Sequence, residues 1–427
     1  MPGYDIIRIQ KGGRTHGRIC HKGTVARKVW LKPVPRGGME DSMNNFRFHA
    51  YTDIRFGKGQ VKCLPELLAP YGKKVLMVYG GGSIRRSGLY DQVRELLKDF
   101  DRYELPGVEP NPKITSVREG AALCKEKGID VVLAVGGGST IDAAKVIAGG
   151  ACYDGDPWDL VTDNSRIGRV LPIVTILTLA ATGSEMNQNA VISNMETNEK
   201  LGTSSHSFIP QASICDPTYL FSLPAGQTAA GTADIMSHVF EQYFQKENGA
   251  FISDRFAEGL LKACIKYCPI ALDEPENYEA RANLMWASTQ ALNGLTASGK
   301  GGEWTCHPIE HELSAFYDIT HGVGLAIVTP RWMHYILNDD TVGKFCEYGR
   351  NVWSITEPDP FRCASQAIDA TERFFVECGI PMTLTELGID ESRFEEMARD
   401  AVKFGSLKDA YIPLTEEDVI NILKDCL

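Results

Sequence analysis

At 427 residues the chain exceeds one ordinary domain, and 43% hydrophobic against 23% charged residues allows a large core and argues against wholesale disorder. A net charge of −11 argues against a general nucleic-acid binder, and no run of 18 apolar residues offers a membrane span. The twelve cysteines form no C-x-x-C and no regular framework, so they read as reduced thiols of a cytoplasmic protein.

Residues 1–43 form a basic extension. Its first 38 residues hold four Lys and five Arg against the single acid Asp5, a net +8 that leaves about −19 for the remainder. It has no apolar stretch of the kind a secretory signal needs. Its arginines suit a transit peptide, but no serine precedes Ser42 and amphipathic order is poor. The segment is expected to be disordered or not native, with Met39 and Met43 as alternative starts.

From Lys73 to about Pro224 the pattern alternates strand and helix. The apolar run "KKVLMVY" leads into "GGGS", and "SGLYDQVRELLKDF" then spaces Leu89, Val93, Leu96 and Leu97 along one side of a helix. "GIDVVLAVGGGSTIDAAKVIA" repeats the plan, and "VLPIVTILTL" is another buried strand. Continuous apolar strands separated by helices predict a parallel sheet covered on both faces. After "DPTYLFSLP" the character changes: "AGQTAAGTADIMSHVFEQYF", "DRFAEGLLKACIKYCPIAL", "YEARANLMWASTQALNGL" and "ESRFEEMARDAVKF" all read as helices, with no strong strand beyond about 225. The expected domains are an α/β layer over 44–224 and an all-helical one over 225–427.

The two GGGS turns carry the first chemical signal. Glycines let a phosphate approach the backbone where helix-start N–H groups point outward. Gly136, Gly137, Gly138 and Ser139 follow "VVLAV", and Asp142 three positions after Ser139 has the spacing of a capping box. One such turn is equally a capped strand-to-helix connection. Two of them at strand ends of one sheet predict nucleotide binding, although neither is the G-x-G-x-x-G fingerprint. No acid stands directly after the first strand to take a ribose 2′-hydroxyl, while Arg85 and Arg86 follow the turn and suit a 2′-phosphate. This favours NADP(H) over NAD(H).

The second signal is a set of possible metal ligands. Asp234 and His238 lie four apart on a predicted helix, on one face. "CHPIEHELSAFYDITHG" adds His307, His311 and His321. Read literally, "HPIEH" is H-x-x-E-H, a zinc-peptidase signature. Read with Asp234 and His238, the same stretch completes an N/O site suited to Zn²⁺ or Fe²⁺.

The segments "YGGGSIRRSGLYDQV", "VGGGSTIDAAKVIA", "TLAATGSEMNQNAVISN", "DPTYLFSLP", "GTADIMSHVFEQYF" and "GEWTCHPIEHELSAFYDITHG" together resemble the iron-containing (group III) alcohol dehydrogenases, most closely their NADPH-dependent butanol dehydrogenase branch. The resemblance spans about residues 44–427. It implies a dehydroquinate synthase-like fold, with an α/β nucleotide-binding domain, an all-α metal-binding domain and the active site in the cleft between them. It implies metal ligands at Asp234, His238, His307 and His321, and a substrate-facing His311 that helps move protons. It implies cofactor contacts at Gly81, Ser83, Asn111, Gly137, Gly138, Ser139, Asp142, Thr178, Thr182, Asn187 and Lys200. Glu310, the would-be peptidase base, becomes a surface group or a neighbour of the ligands.

NAD-preferring relatives carry an Asp near Gly80; its absence here supports NADP(H). Ala180 replaces a common Pro or Thr, and the basic arm has no counterpart. The implied reaction is reversible hydride transfer between a nicotinamide and a short-chain aldehyde or alcohol, with Fe²⁺ or Zn²⁺ as Lewis acid, in a homodimer with no nucleic-acid or membrane partner. Alternatives are an NAD-dependent glycerol or diol dehydrogenase of the same fold, a peptidase built on His307 and His311, and a sensor with a decayed site.

Overall fold

Each apolar run has to bury two faces at once, and the structure, a computed structural model, shows how. It describes residues 43–246 and 249–427, so the basic extension lies outside the described residues apart from Met43. The strands are β1 (Asp53–Phe56), β2 (Lys74–Gly80), β3 (Asp101–Val108), β4 (Val131–Gly136), β5 (Ile173–Leu177), β6 (Asn189–Asn194), β7 (Glu199–Ser204) and β8 (Ala212–Cys215). The helices among them are α1 (Leu64–Leu68), α2 (Ser83–Arg86), α3 (Leu89–Leu96), α4 (Ile114–Lys127), α5 (Gly138–Gly150) and α6 (Asp159–Thr162).

Six strands form one all-parallel sheet in the order β1-β8-β5-β4-β2-β3. Successive side chains of a strand face opposite ways. Leu76, Val78, Val132 and Ala134 therefore pack on α4 and α5, while Val75, Met77, Val131, Leu133 and Val135 pack on α1 and α3. The chain runs from β2 outward to β3, then returns to the other side of β2 for β4, β5 and β8. The order reverses between β2 and β4, and a crevice opens outside the carboxyl ends of strands at such a reversal. Both GGGS turns sit there.

The second half is helical: α7 (Ala225–Tyr243), α8 (Phe251–Asp273), α9 (Tyr278–Ala291), α10 (Cys306–Tyr317), α11 (His321–Tyr335), α12 (Val342–Val352), α13 (Pro360–Glu377), α14 (Phe394–Phe404) and α15 (Glu416–Asp425). From Thr228 to its end α7 is buried on every side, as a central helix is. It packs through Ile235, Met236, Val239 and Phe240 into a core that Leu261, Leu284, Leu325 and Phe345 share. No helix among the described residues is long and apolar enough to cross a membrane.

Five strands were not foreseen, and two local expectations are corrected. The segments of β1, β3, β8 and the antiparallel hairpin β6–β7 lack the continuous apolar run that reveals a strand. The strand read as "VLPIVTILTL" is confined to Ile173–Leu177, so Thr178 and Thr182 stand in the loop beyond it. No capping box opens α5: Gly137 is the N-cap, Ser139 is already inside the helix, and Asp142 points into the core.

Candidate metal and nucleotide site

α7 presents Asp234, His238 and Glu241 at i, i+4 and i+7, one stripe of the helix. α10 brings His307 in its first turn and α11 begins with His321. Asp234 Oδ1 lies 3.5 Å from His238 Nδ1, 3.8 Å from His307 Nε2 and 3.7 Å from His321 Nε2. Donor atoms of Asp234, His307 and His321 all fall within 4.8 Å of one another. His238 adjoins this group, its ring stacked 4.7 Å from His307.

Asp234 Oδ1, His238 Nδ1 and His307 Nε2 are buried and have no hydrogen-bond partner among the described residues. Buried polar atoms are rarely left so, and three converging orphans of this chemistry fit a divalent cation.

The outer nitrogens are the ones with partners. His307 Nδ1 lies 3.1 Å from Glu241 Oε1, which also accepts the His307 backbone N–H at 2.9 Å, while Oε2 accepts the Thr305 N–H at 2.8 Å. His321 Nδ1 lies against Glu310 Oε2. Glu310 is fully buried and accepts from Lys200 Nζ at 3.2 Å and from Ser314 Oγ. It is therefore not a surface group, and it faces His321 instead of a position between His307 and His311.

Charge and burial oppose each other here. Burial would raise Asp234, but the facing His238, His307 and His321 hold it well below the usual carboxylate range. Burial takes His238 down to about 3. Burial lowers His307 as well, yet Asp234 and Glu241 outweigh it and raise the ring to about 9. His311, one turn beyond His307, is pushed well below its ordinary value by burial and by Lys200, His321, His307 and His238 around it. Its ring lies 5.6 Å from that of His321 and 6.2 Å from that of His307. Donors of Glu310, His311 and His321 also lie close enough to share an ion, but Lys200 Nζ stands 3.2 Å from both Glu310 and His321 and opposes a cation there. Trp304 closes one side, its ring 4.6 Å from His307.

The eleven residues expected at the cofactor separate into three groups. Gly81, Ser83, Gly137, Gly138, Ser139, Thr178 and Thr182 gather at the ends of β2, β4 and β5. Gly81 has open space where a Cβ would stand, whereas a Cβ on Gly138 would strike the Thr182 side chain. Ser83 is exposed and Ser139 and Thr178 are half-buried, and their hydroxyls have no hydrogen-bond partner among the described residues.

The second group has its polar atoms engaged within the chain. Asp142 accepts from Ser184 Oγ at 2.5 Å and from the Val191 N–H at 2.9 Å, and it faces Lys145. Asn187 accepts from Lys145 Nζ and the Asn189 N–H and donates to the Thr182 carbonyl. Both side chains are buried and brace the 182–191 loop around the Lys145 ammonium. The third group bridges to the helices. Asn111 donates to Asp318 and the Ile319 carbonyl, and Lys200 reaches Glu310.

The two arginines also divide. Arg85 donates to Tyr79 Oη at 2.7 Å and lies 3.8 Å over the Tyr90 ring, with Glu104 behind both tyrosines. Arg86 is exposed, folds back toward Gly82, and has no side-chain partner among the described residues.

Sequence reasoning missed Glu241, whose place three residues after His238 on the ligand stripe was the available signal, and Lys145, whose burial nothing local reveals.

Residues 52–217 match the family description "Iron-containing alcohol dehydrogenase", and residues 228–427 match "Fe-containing alcohol dehydrogenase family, C-terminal". The chain is 55% identical over 390 residues to NADH-dependent butanol dehydrogenase A of Clostridium acetobutylicum, covering 90% of this chain and 99% of that one. It is 41% identical to the NADPH-dependent aldehyde reductase YqhD of Escherichia coli, covering 85% and 94%. Among solved structures, the crystal structure of NADH-dependent butanol dehydrogenase A from Thermotoga maritima aligns with a TM-score of 0.87 at 40% identity, covering 91% of this chain and all of the other.

Proposed function

The chain belongs to the iron-containing alcohol dehydrogenase family, and from that premise we propose that Asp234, His238, His307 and His321 hold one divalent cation beside a nicotinamide cofactor seated on the β2 and β4 turns. The protein is an alcohol dehydrogenase or aldehyde reductase using a divalent metal and a nicotinamide. When bound, the cation supplies Lewis acidity and the nicotinamide carries the hydride.

The chain's own residues do the rest. Ser83, Ser139 and Thr178 offer hydroxyls, and the α5 start offers outward N–H groups, to the cofactor's phosphates and ribose. Trp304 and the packed rings of His238 and His307 exclude water from one side. His311 stays neutral at physiological pH, so one ring nitrogen can give a proton toward the nascent alkoxide while the other regains one from solvent. The observation that carries this reading is the trio of orphaned buried atoms on Asp234, His238 and His307.

The substrate we favour is a short-chain primary alcohol or its aldehyde, of the butanol class. The cofactor we favour is NADP(H), with Arg86, which has no side-chain partner among the described residues, as a cation for a 2′-phosphate. Relatives are named for NADH as well as NADPH, and Arg85 is already engaged by Tyr79 and Tyr90. We take the working enzyme to be a cytoplasmic homodimer of small-molecule substrates, with no nucleic-acid or membrane partner.

The test is an anaerobic assay of NADPH and NADH oxidation with C2–C6 aldehydes after reconstitution with Fe²⁺ or Zn²⁺. Metal-dependent oxidation, faster with NADPH, is expected. No oxidation under any pairing would defeat the catalytic reading, and faster use of NADH would defeat the cofactor preference alone.

A further inference from the structure

His321 Nδ1 has two neighbours that want opposite things from it. Glu310 Oε2 can only accept, and Lys200 Nζ, 3.2 Å away, can only donate. If Nδ1 carries the proton, it donates to Glu310 and leaves the Nε2 lone pair facing Asp234, 3.7 Å off. If Nδ1 is bare, it accepts from Lys200, and Nε2 turns an N–H toward Asp234, where no cation can then be bound. The hydrogen bond made by one ring nitrogen sets what the other presents.

We propose that Glu310 is a positioning residue that fixes His321 in the metal-ready tautomer against the competing pull of Lys200. The assignment rests on the reading of Asp234, His238, His307 and His321 as the cation site.

Two observations beyond the contact itself support it. Glu310 is fully buried and doubly held, by Ser314 Oγ on Oε1 and by Lys200 on Oε2, so its position is set by α10 and by β7 together. The same device stands behind His307, where Glu241 Oε1 takes Nδ1 at 3.1 Å while two backbone N–H groups anchor the carboxylate. Among the described residues no Lys or Arg contacts His307 Nδ1, so Glu310 is the place where the arrangement can be broken and repaired. Lys200 reaches from the α/β layer, so it ties the orientation of one metal-facing ring to the cofactor-binding half of the molecule.

The experiment measures Zn²⁺ dissociation constants by competition with a chromophoric chelator for the wild type, Glu310→Ala, Glu310→Gln, Lys200→Met and the Glu310→Ala/Lys200→Met double variant, each checked for folding by circular dichroism. Removal of such an outer partner weakens metal binding by about 10–100-fold. That loss is expected for Glu310→Ala, a smaller one for Glu310→Gln, whose amide oxygen can still accept from Nδ1, and no loss for Lys200→Met.

The decisive outcome is recovery: removing the lysine from the Glu310→Ala background restores most of the affinity, because nothing then holds Nδ1 as an acceptor. A purely structural role for Glu310 would make Lys200→Met raise affinity by the same factor in both backgrounds, as loss of a nearby like charge does, and that result overturns the proposal. Unchanged affinity in folded Glu310→Ala overturns it as well. A wild-type protein that takes up no Zn²⁺ removes the cation site itself and the proposal with it, an outcome visible before any variant is compared.

Discussion

His307 illustrates how much chemistry one imidazole can report. Burial disfavours its charge, yet Asp234 and Glu241 hold its pKa at about 9, so below that pH the metal-free ring carries a proton on each nitrogen. A cation needs the Nε2 lone pair, so its binding has to expel that proton. His238, at about 3, has none to lose near neutrality. Zn²⁺ binding at pH 7 should therefore release protons, and apparent affinity should rise about tenfold per pH unit up to about 9. Titration calorimetry in buffers of different ionisation enthalpy measures the release, and pH-independent affinity between 6 and 8 would contradict it.

At this scale the sequence was partly legible. Asp234 and His238 are visible as an i, i+4 pair, but nothing in their spacing says that His307 and His321 complete the group. That required the resemblance, because the distance between them is set by helix packing. Glu310 was the harder residue: a glutamate between two histidines reads as a peptidase base, and only the turn of α10 shows it facing His321.

Helices and strands differ in how plainly they announce themselves. β2, β4 and β5 were readable because buried parallel strands are continuous apolar runs. β3 is an edge strand with Pro106 and Gly107 near its end, and β6–β7 is a half-polar hairpin, so neither gives that signal.

The element contact that matters most for the site is between α7 and α11. Gly322 follows His321 directly, and a Cβ there would collide with the backbone carbonyl oxygen of Ala230, which is not free to yield as a side-chain tip would. Gly322→Ala should push α11 off α7, cost about 1–3 kcal/mol as overpacking does, and weaken Zn²⁺ binding by moving His321 away from Asp234. Thermal melting of the metal-free protein and a metal titration read the two effects. A variant unchanged in both would show that the helices are not in contact as described.

The described residues form a parallel sheet and a helical bundle joined along a seam, where the proposed site lies. Asn111 and Lys113, just beyond β3, hold Asp318 in the turn that delivers His321, and Lys200 of β7 holds Glu310. Glu185, in the loop after β5, accepts from Thr289 of α9. The glycine turns and the proposed cation ligands thus belong to two halves cross-braced by side chains from each. The class of fold was legible because local periodicity determines it. The seam was not, because the four hydrogen bonds that brace it here each join residues more than a hundred positions apart.

The central claim is that α7, α10 and α11 close four side chains around one cation. Anomalous scattering from crystals of the Zn²⁺-loaded protein tests it most directly. A single peak bonded to Asp234, His238, His307 and His321 is the predicted result. A peak among Glu310, His311 and His321, or none near Asp234, would contradict it.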